Sequence, residues 1–166
     1  MCKIISVISC KGGVGKTTSA VNISAYLKMQ GKSVCAVDLD AQHNLSRHFG
    51  VWAIPSAETP TITELFRAAI DDCPDETMHQ MVRDSICQTT TVDMIPSTVQ
   101  LSSLEAALST ATRRERVLEY ILFLYAGKGC MTASVWPKPV RSFFKMAFVY
   151  AFQYHPDNLL QKFVIE

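Results

Sequence analysis

The order of hydrophobic and polar positions along the chain predicts strands and helices that alternate. Residues 3–9 (KIISVIS) are β-branched and mostly apolar and precede a glycine-rich stretch, which is typical of a buried parallel strand. From Lys16 onward apolar residues recur among polar ones, and Gly31 stands where a helix C-cap is expected. Residues 33–40 (SVCAVDLD) predict a second strand that ends in acids. This βαβ unit predicts an α/β fold in which helices cover a parallel sheet.

The middle of the chain predicts two more helices and one more strand. One helix begins at Thr61 or Thr63, either of which can cap it, and continues to Asp72. A shorter helix covers residues 76–85, and residues 90–96 (TTVDMIP) predict a third strand. The alternation of the two element types therefore continues.

A last helix is predicted from periodicity, with Ser102 or Ser103 as its cap. Its apolar residues follow three- and four-residue spacing, which is typical of a helix that lies on a sheet. They are Leu101, Leu104, Leu108, Ala111, Leu118, Leu122 and Tyr125.

The composition indicates one globular domain. The chain has 166 residues, of which 48% are hydrophobic and 19% charged, and its net charge is +1. These values exclude a disordered chain and a surface that binds polyanions as a whole. The six cysteines include no CxxC pair, so the sequence supports no zinc or thioredoxin-like motif and predicts reduced thiols. Since no signal segment or apolar run of about 20 residues occurs, we expect no transmembrane segment and a cytoplasmic location.

The average composition hides a change near residue 125. Of the 15 aromatic residues, 11 lie in residues 120–166, and that segment has five Lys or Arg against two acids, a charge of +3. The remaining residues have a charge of −2, since the whole chain has +1. The sequence therefore predicts two parts of different character.

The segment 11–18 (KGGVGKTT) lies between the first predicted strand and helix, the context that a phosphate-binding P-loop requires. Glycines let the backbone approach phosphates, and the helix presents its positive end to an anion. Lys16 would contact the β- and γ-phosphates, and Thr17 would offer its hydroxyl to Mg²⁺. The match to G-x-x-x-x-G-K-[ST] is imperfect because Cys10 stands at the first glycine.

With its second lysine, Lys11, this segment resembles the deviant Walker A motif of the ParA/MinD family of P-loop ATPases. Residues 37–46 (VDLDAQHNLS) are similar to the family's DLDPQGN segment, with Ala41 in place of proline and His43 in place of glycine. Residues 93–97 (DMIPS) and the helix after them are similar to the family's IPS segment.

The resemblance implies a P-loop ATPase fold with ATP and Mg²⁺ as cofactors. By resemblance the nucleotide contacts are Lys11, Gly12, Gly13, Val14, Gly15, Lys16, Thr17 and Thr18. Lys11, Lys16 and Asp40 would be catalytic: Lys11 would reach the partner's phosphates in a homodimer, and Asp40 would help orient the hydrolytic water. Thr17 would bind Mg²⁺ directly, and Asp38 would bind it through a metal-bound water. The alternative for either acid is a cap on a turn at the strand end.

By resemblance the chain acts in plasmid or chromosome partitioning as an ATP-dependent homodimer with a ParB-like partner, and non-specific DNA is a further possible partner. A MinD-like membrane-cycling ATPase is an alternative, although the DLDAQHN segment is nearer the partition members. A second alternative is a non-enzymatic fragment that interacts with a full-length homologue.

The resemblance covers residues 2 to about 125, the amino-terminal part of the family's chain. We therefore predict a nucleotide-binding part, 1–125, and an aromatic, basic tail, 126–166. In the family an apolar strand then ends in an Asp that supports Mg²⁺, but no Asp or Glu occurs from Tyr120 to Pro156. We expect hydrolysis to be weak or absent and three strands to be left with an exposed edge.

Two origins of the tail stay open: a truncated or frameshifted reading, or a short variant whose tail has its own role. In residues 143–152 (FFKMAFVYAF), basic and aromatic residues interleave, as in a membrane or partner contact. We favour a core helix or an exposed segment there.

Overall fold

The computed structural model describes residues 2–9, 12–52, 59–104, 107, 114–126, 145–152 and 164–165. Its strands are β1 (Cys2–Ile8), β2 (Ser33–Asp40), β3 (Cys87–Gln88), β4 (Asp93–Ile95), β5 (Lys145–Phe152) and β6 (Val164–Ile165). Its α-helices are α1 (Lys16–Met29), α2 (Asn44–His48), α3 (Ile62–Ile70), α4 (Asp75–Asp84) and α5 (Arg114–Ala126), and Val99–Ser103 form a 3₁₀ helix.

The strands form one mixed sheet in the order β3-β4-β2-β5-β1-β6. β2 pairs in parallel with β4, and β1 with β6, while β5 is antiparallel to both β1 and β2. β1 and β2 therefore run in the same direction, as the βαβ prediction requires, and their carboxyl ends lie at one edge of the sheet. The α/β fold with a helix-covered sheet is confirmed, but the sheet is mixed.

β5 corrects two expectations about the tail. Val149 lies opposite Ile5 of β1 on one side and Ala36 of β2 on the other, so this segment is a central strand. The preference for a helix or an exposed segment at 143–152 is wrong for Lys145–Phe152, and β5 covers the exposed edge that the three predicted strands would leave. Phe, Val and Tyr favour strands, and an apolar run of this length is as compatible with a buried strand as with a helix. The division of the chain at residue 125 stays a prediction.

Local sequence signals explain boundaries of α1 and α3. α1 starts at Lys16 and ends before Gly31, whose φ of 72° is the left-handed conformation of a helix C-cap glycine. α3 starts after Thr61, which forms a capping box with Glu64. α3 and α4 confirm the predicted helices, although α3 ends at Ile70 rather than Asp72.

The segment after β4 differs from its prediction. The strand predicted at residues 90–96 is β4, which is shorter, Asp93–Ile95. The sequence pattern does not predict the two-residue strand β3 that precedes it. Ser102 and Ser103 lie inside the 3₁₀ helix rather than at a cap. Leu101, Leu104, Leu118 and Leu122 are buried as the stripe predicts, whereas Leu108 and Ala111 lie outside the described residues.

Helices cover both faces of the sheet. On one face, alternate residues of β2 (Cys35, Val37, Leu39) pack in a core with α3, α4 and α5. On the other, Val34 and Ala36 of β2 pack with residues of α1 and α2. Asp38 has the same parity as Val34 and Ala36, so its side chain lies on the face of α1 and α2.

Candidate functional site

The glycine-rich loop leads directly into α1. Gly13 and Gly15 have φ of 72° and 84°, conformations that glycine adopts without the steric cost of a Cβ. The carbonyl of Gly15 accepts the first helical hydrogen bond, from the N–H of Ser19, at 2.8 Å. Lys16 is the first residue of the helix, as the sequence predicts.

The loop leaves room for a ligand. At Gly12, Gly13 and Gly15, no atom of the described residues lies within 4 Å of the position that a Cβ would take, chain neighbours aside. The first turn of the 14-residue α1 begins with Lys16 and Thr17, both partly exposed, so its N–H groups and its dipole favour an anion there. This arrangement fits the phosphates of a nucleotide. Lys11, the second predicted lysine, lies outside the described residues.

Asp38, the first predicted acid, is fully buried near the end of β2. Its Oδ1 accepts the backbone N–H of Asp40 at 3.1 Å. Its Oδ2 accepts both the backbone N–H of Ser46 at 2.9 Å and the Ser46 hydroxyl at 2.7 Å. The N–H of Ser46 is one of the first amides of α2, which have no partner within the helix. Asp38 therefore joins the end of β2 to α2.

The charge of Asp38 is opposed by burial and supported by its donors. Burial raises the pKa of the Asp38 carboxyl above its usual value, while the hydrogen bonds from Ser46 and then from Asp40 act in the opposite direction. The nearby Asp40 carboxylate raises the pKa further. A cation bound close by would favour the ionised form.

Asp40, the second predicted acid, is partly exposed at the strand end. Its Oδ1 accepts the N–H of Gln42 at 2.9 Å, and its carbonyl accepts the N–H of His43 at 2.7 Å. Asp40 thus stabilises the turn between β2 and α2 while its side chain still reaches solvent.

The sheet topology places these groups at one edge. The carboxyl end of β1, which precedes the glycine loop, and that of β2, which bears the acids, flank the start of β5. Met146 lies opposite Ile8 and Leu39, and Lys145 lies opposite Asp40. Ligands of α/β proteins bind at such an edge.

Two residues of this region had no role in the sequence interpretation. Ser46 donates twice to Asp38, and its hydroxyl also accepts the backbone N–H of Ser97 at 3.1 Å. The signal that could have found Ser46 is the requirement of a buried carboxylate for buried donors. Ser97 could not be found this way, since it is 51 residues away in sequence.

The comparison with known proteins agrees with this geometry. A family model described as an AAA domain matches residues 2–124. The chain belongs to this family. The chain is 36% identical over 128 residues to the sporulation initiation inhibitor protein Soj of Bacillus subtilis, an alignment over 73% of this chain and 46% of Soj. An uncharacterised protein of Mycobacterium tuberculosis is 36% identical over 125 residues, 73% of this chain and 35% of that protein. The predicted membership among ParA/MinD-type P-loop ATPases is confirmed.

Solved structures share the fold. A cobyrinic acid a,c-diamide synthase of Mycobacterium smegmatis with a bound ATP analogue and magnesium superposes with a TM-score of 0.62 at 27% identity, over 76% of this chain and 48% of that chain. A plasmid partition protein of Borrelia burgdorferi superposes with a TM-score of 0.53 at 27% identity, over 72% and 48% of the two chains. This chain spans less than half the length of the curated relatives and structures just described.

Two further observations concern the described part of the chain alone. No helix there has the length and apolar character needed to cross a membrane. No three His, Cys, Asp or Glu side chains come together there as a metal site. Mg²⁺ beside a nucleotide takes most of its ligands from phosphates and water, so Thr17 and Asp38 stay candidates.

Proposed function

We propose that this chain binds Mg·ATP at residues 11–18 and acts as a ParA-type protein of plasmid or chromosome partitioning, in the cytoplasm. The observation that carries the proposal is the open glycine loop that ends at Lys16, the first residue of α1. The bound ATP analogue and magnesium in the Mycobacterium smegmatis synthase, which shares this fold, support it.

The phosphates would be held by the loop backbone and by the first turn of α1. The left-handed φ of Gly13 and Gly15 turns the chain so that successive N–H groups can point into the loop. Lys16 would place an ammonium against the β- and γ-phosphates. The neighbouring Thr18 is engaged through its carbonyl, which accepts the side-chain amide of Asn22 at 2.8 Å.

The metal site would use Thr17 and Asp38. Thr17 offers a hydroxyl as a direct ligand, while Asp38, buried with its Oδ1 accepting one N–H, fits an acceptor for a metal-bound water. Bound Mg²⁺ would neutralise charge on the phosphates. Asp40, which reaches solvent at the same edge, would orient the hydrolytic water.

Hydrolysis by this chain should be weak. The stretch from Tyr120 to Pro156, where the family places a metal-supporting Asp, has no acid, and at the site edge it contributes Lys145 opposite Asp40. We therefore expect nucleotide binding to be retained and turnover to be low.

Titration of a fluorescent ATP analogue with Mg²⁺ tests the binding. Lys16→Ala should weaken affinity about 10-fold or more, because charged hydrogen bonds contribute about 1.5–3 kcal/mol each. Lys28→Ala is the matched control: it removes the same charge from an exposed position of α1, about 18 Å away at 1.5 Å per residue, and should change affinity little. Equal affinity in wild type and Lys16→Ala would refute the binding claim.

The partition function also requires an ATP-dependent homodimer and a ParB-like partner, with DNA as a possible further ligand. Size exclusion with and without ATP tests the dimer. ATP-dependent dimerisation that Lys11→Ala abolishes supports the role of Lys11 across the interface.

A second candidate is a non-enzymatic chain that interacts with a full-length homologue. The absence of acids between Tyr120 and Pro156 favours it, since a chain without the supporting Asp can bind without turning over. Association with a homologue in a pull-down that does not depend on ATP would favour this candidate over the ATP-driven switch.

A further inference from the structure

The hydroxyl of Ser46 joins three segments that are distant in sequence. It donates to Oδ2 of Asp38 in β2 at 2.7 Å and accepts the N–H of Ser97, which follows β4, at 3.1 Å. Ser46, Asp38 and Ser97 are all buried. The end of β2, helix α2 and the chain after β4 therefore meet at one oxygen atom.

The direction of these hydrogen bonds is fixed. A backbone N–H can only donate, so the Ser46 oxygen must accept from Ser97. A hydroxyl has a single proton, and the geometry directs that proton to Asp38. The Ser46 hydroxyl is therefore oriented by Ser97 and acts as a committed donor to the carboxylate.

The acceptor positions of Asp38 are almost filled. A carboxylate has about four lone-pair positions, two on each oxygen. The two donors from Ser46 fill Oδ2, and the N–H of Asp40 takes one position on Oδ1. Among the contacts of the described residues, one acceptor position of Asp38 remains unfilled, and it belongs to Oδ1.

We propose that Ser46 is a positioning residue for the metal: it holds Oδ2 of Asp38 on α2 and so presents Oδ1 to a water bound to Mg²⁺. The inference rests on the proposed function, because it assigns a role within the same Mg·ATP site. If Asp38 only capped α2, its Oδ2 would need to accept only the backbone N–H of Ser46. Oδ2 also accepts the Ser46 hydroxyl, a second donor that capping does not require.

The test measures the Mg²⁺ concentration that gives half of the full increase in affinity for a fluorescent ATP analogue. Ser46→Ala keeps the backbone N–H but removes the hydroxyl, and it should raise this concentration about 10-fold, the lower range for groups that orient metal ligands. Affinity in EDTA should change less than 2-fold. Ser46→Thr, which keeps a hydroxyl, should restore most of the Mg²⁺ response.

Ser85→Ala is the matched control. It removes another buried hydroxyl, which donates to the carbonyl of Val82 at 2.8 Å, and should leave the Mg²⁺ response unchanged. If Ser46→Ala does not fold, Ser46→Cys replaces it, because a thiol is a weak donor of similar size and should give the same shift in smaller degree.

The outcomes separate the two proposals. An equal loss of affinity in Mg²⁺ and in EDTA, or a Ser46→Thr variant as impaired as Ser46→Ala, would overturn the positioning role and leave the proposed function standing. A wild-type chain that does not bind the analogue in either condition would overturn the proposed function and this inference with it.

Discussion

The backbone N–H of His43 donates to the carbonyl oxygen of Asp40 at 2.7 Å, in a turn that holds His43 at φ 43° and ψ 35°. This is the left-handed conformation, which glycine adopts most readily, and His43 stands where the related segments of the family have glycine. The turn that carries the second acid of the site is therefore built on a strained residue.

His43→Gly should stabilise the protein. An L-residue in this conformation costs about 1–2 kcal/mol, from which the greater entropy of unfolded glycine must be subtracted, so the free energy of unfolding should rise by about 0.5–1 kcal/mol in urea denaturation. His48→Gly, at the exposed end of α2, should instead lower it by a similar amount. Destabilisation of the same size in both variants would contradict the left-handed turn.

The glycine loop can be tested without nucleotide. Gly15→Ala places a Cβ at φ 84° and should lower the free energy of unfolding by about 1 kcal/mol. Gly12 has no left-handed φ, and no atom of the described residues lies within 4 Å of the position that its Cβ would take, so Gly12→Ala should change stability by less than about 0.5 kcal/mol. Chemical denaturation of the two variants gives the comparison, and equal stability losses would be inconsistent with the described loop.

The central position of β5 predicts a large effect of proline. Val149→Pro removes a backbone N–H from the strand between β1 and β2, and a buried acceptor left without its donor should lower the free energy of unfolding by about 1–3 kcal/mol. Val149→Ile keeps the N–H and the β-branched shape, so it should retain most of the stability. Urea unfolding followed by circular dichroism measures both. A proline variant as stable as wild type would place the tail outside the sheet.

The buried thiol of Cys35 makes stability depend on alkaline pH. Burial raises its pKa from 9.0 to about 12, although a hydrogen bond with Tyr125 acts in the opposite direction. Below pH 9 the Cys35 thiol is protonated in both the folded and the unfolded protein. Between pH 9 and about 12 the unfolded state loses the proton while the folded state keeps it, so this contribution to stability falls as pH rises.

Urea denaturation at pH 8, 9 and 10 under reducing conditions checks this prediction. The slope attributable to Cys35 approaches about 1.4 kcal/mol per pH unit once the unfolded thiol is ionised. Cys35→Ala should lose that slope, whatever constant offset its smaller side chain causes. Parallel curves for wild type and Cys35→Ala would rule out the raised pKa.

Elements fixed by local chemistry could be predicted from the sequence. β2 is an apolar run between Gly31 and the acids, and its bounds, Ser33–Asp40, match the prediction. Thr61 and Glu64 start α3 through contacts within a single turn. Lys16 at the start of α1 follows from the glycines before it.

Elements fixed by contacts between residues distant in sequence could not be predicted in this way. β5 is a strand because Val149 pairs with Ile5 and Ala36, both more than a hundred residues away in sequence. The local pattern of β5 alone is also compatible with a helix. The environment of Asp38 likewise depends on Ser46 and, through it, on Ser97. The sequence shows which groups carry the chemistry, whereas the fold determines which donors hold them.

Amide hydrogen exchange of residues 12–18 with and without Mg·ATP tests whether the glycine loop binds nucleotide, because the N–H groups of this loop are the ones proposed to bind the phosphates. We predict that Mg·ATP slows exchange in this segment in the wild type and that Lys16→Ala loses most of this protection. Exchange unchanged at residues 12–18 under conditions where nucleotide is bound would show that the phosphates do not bind to this loop.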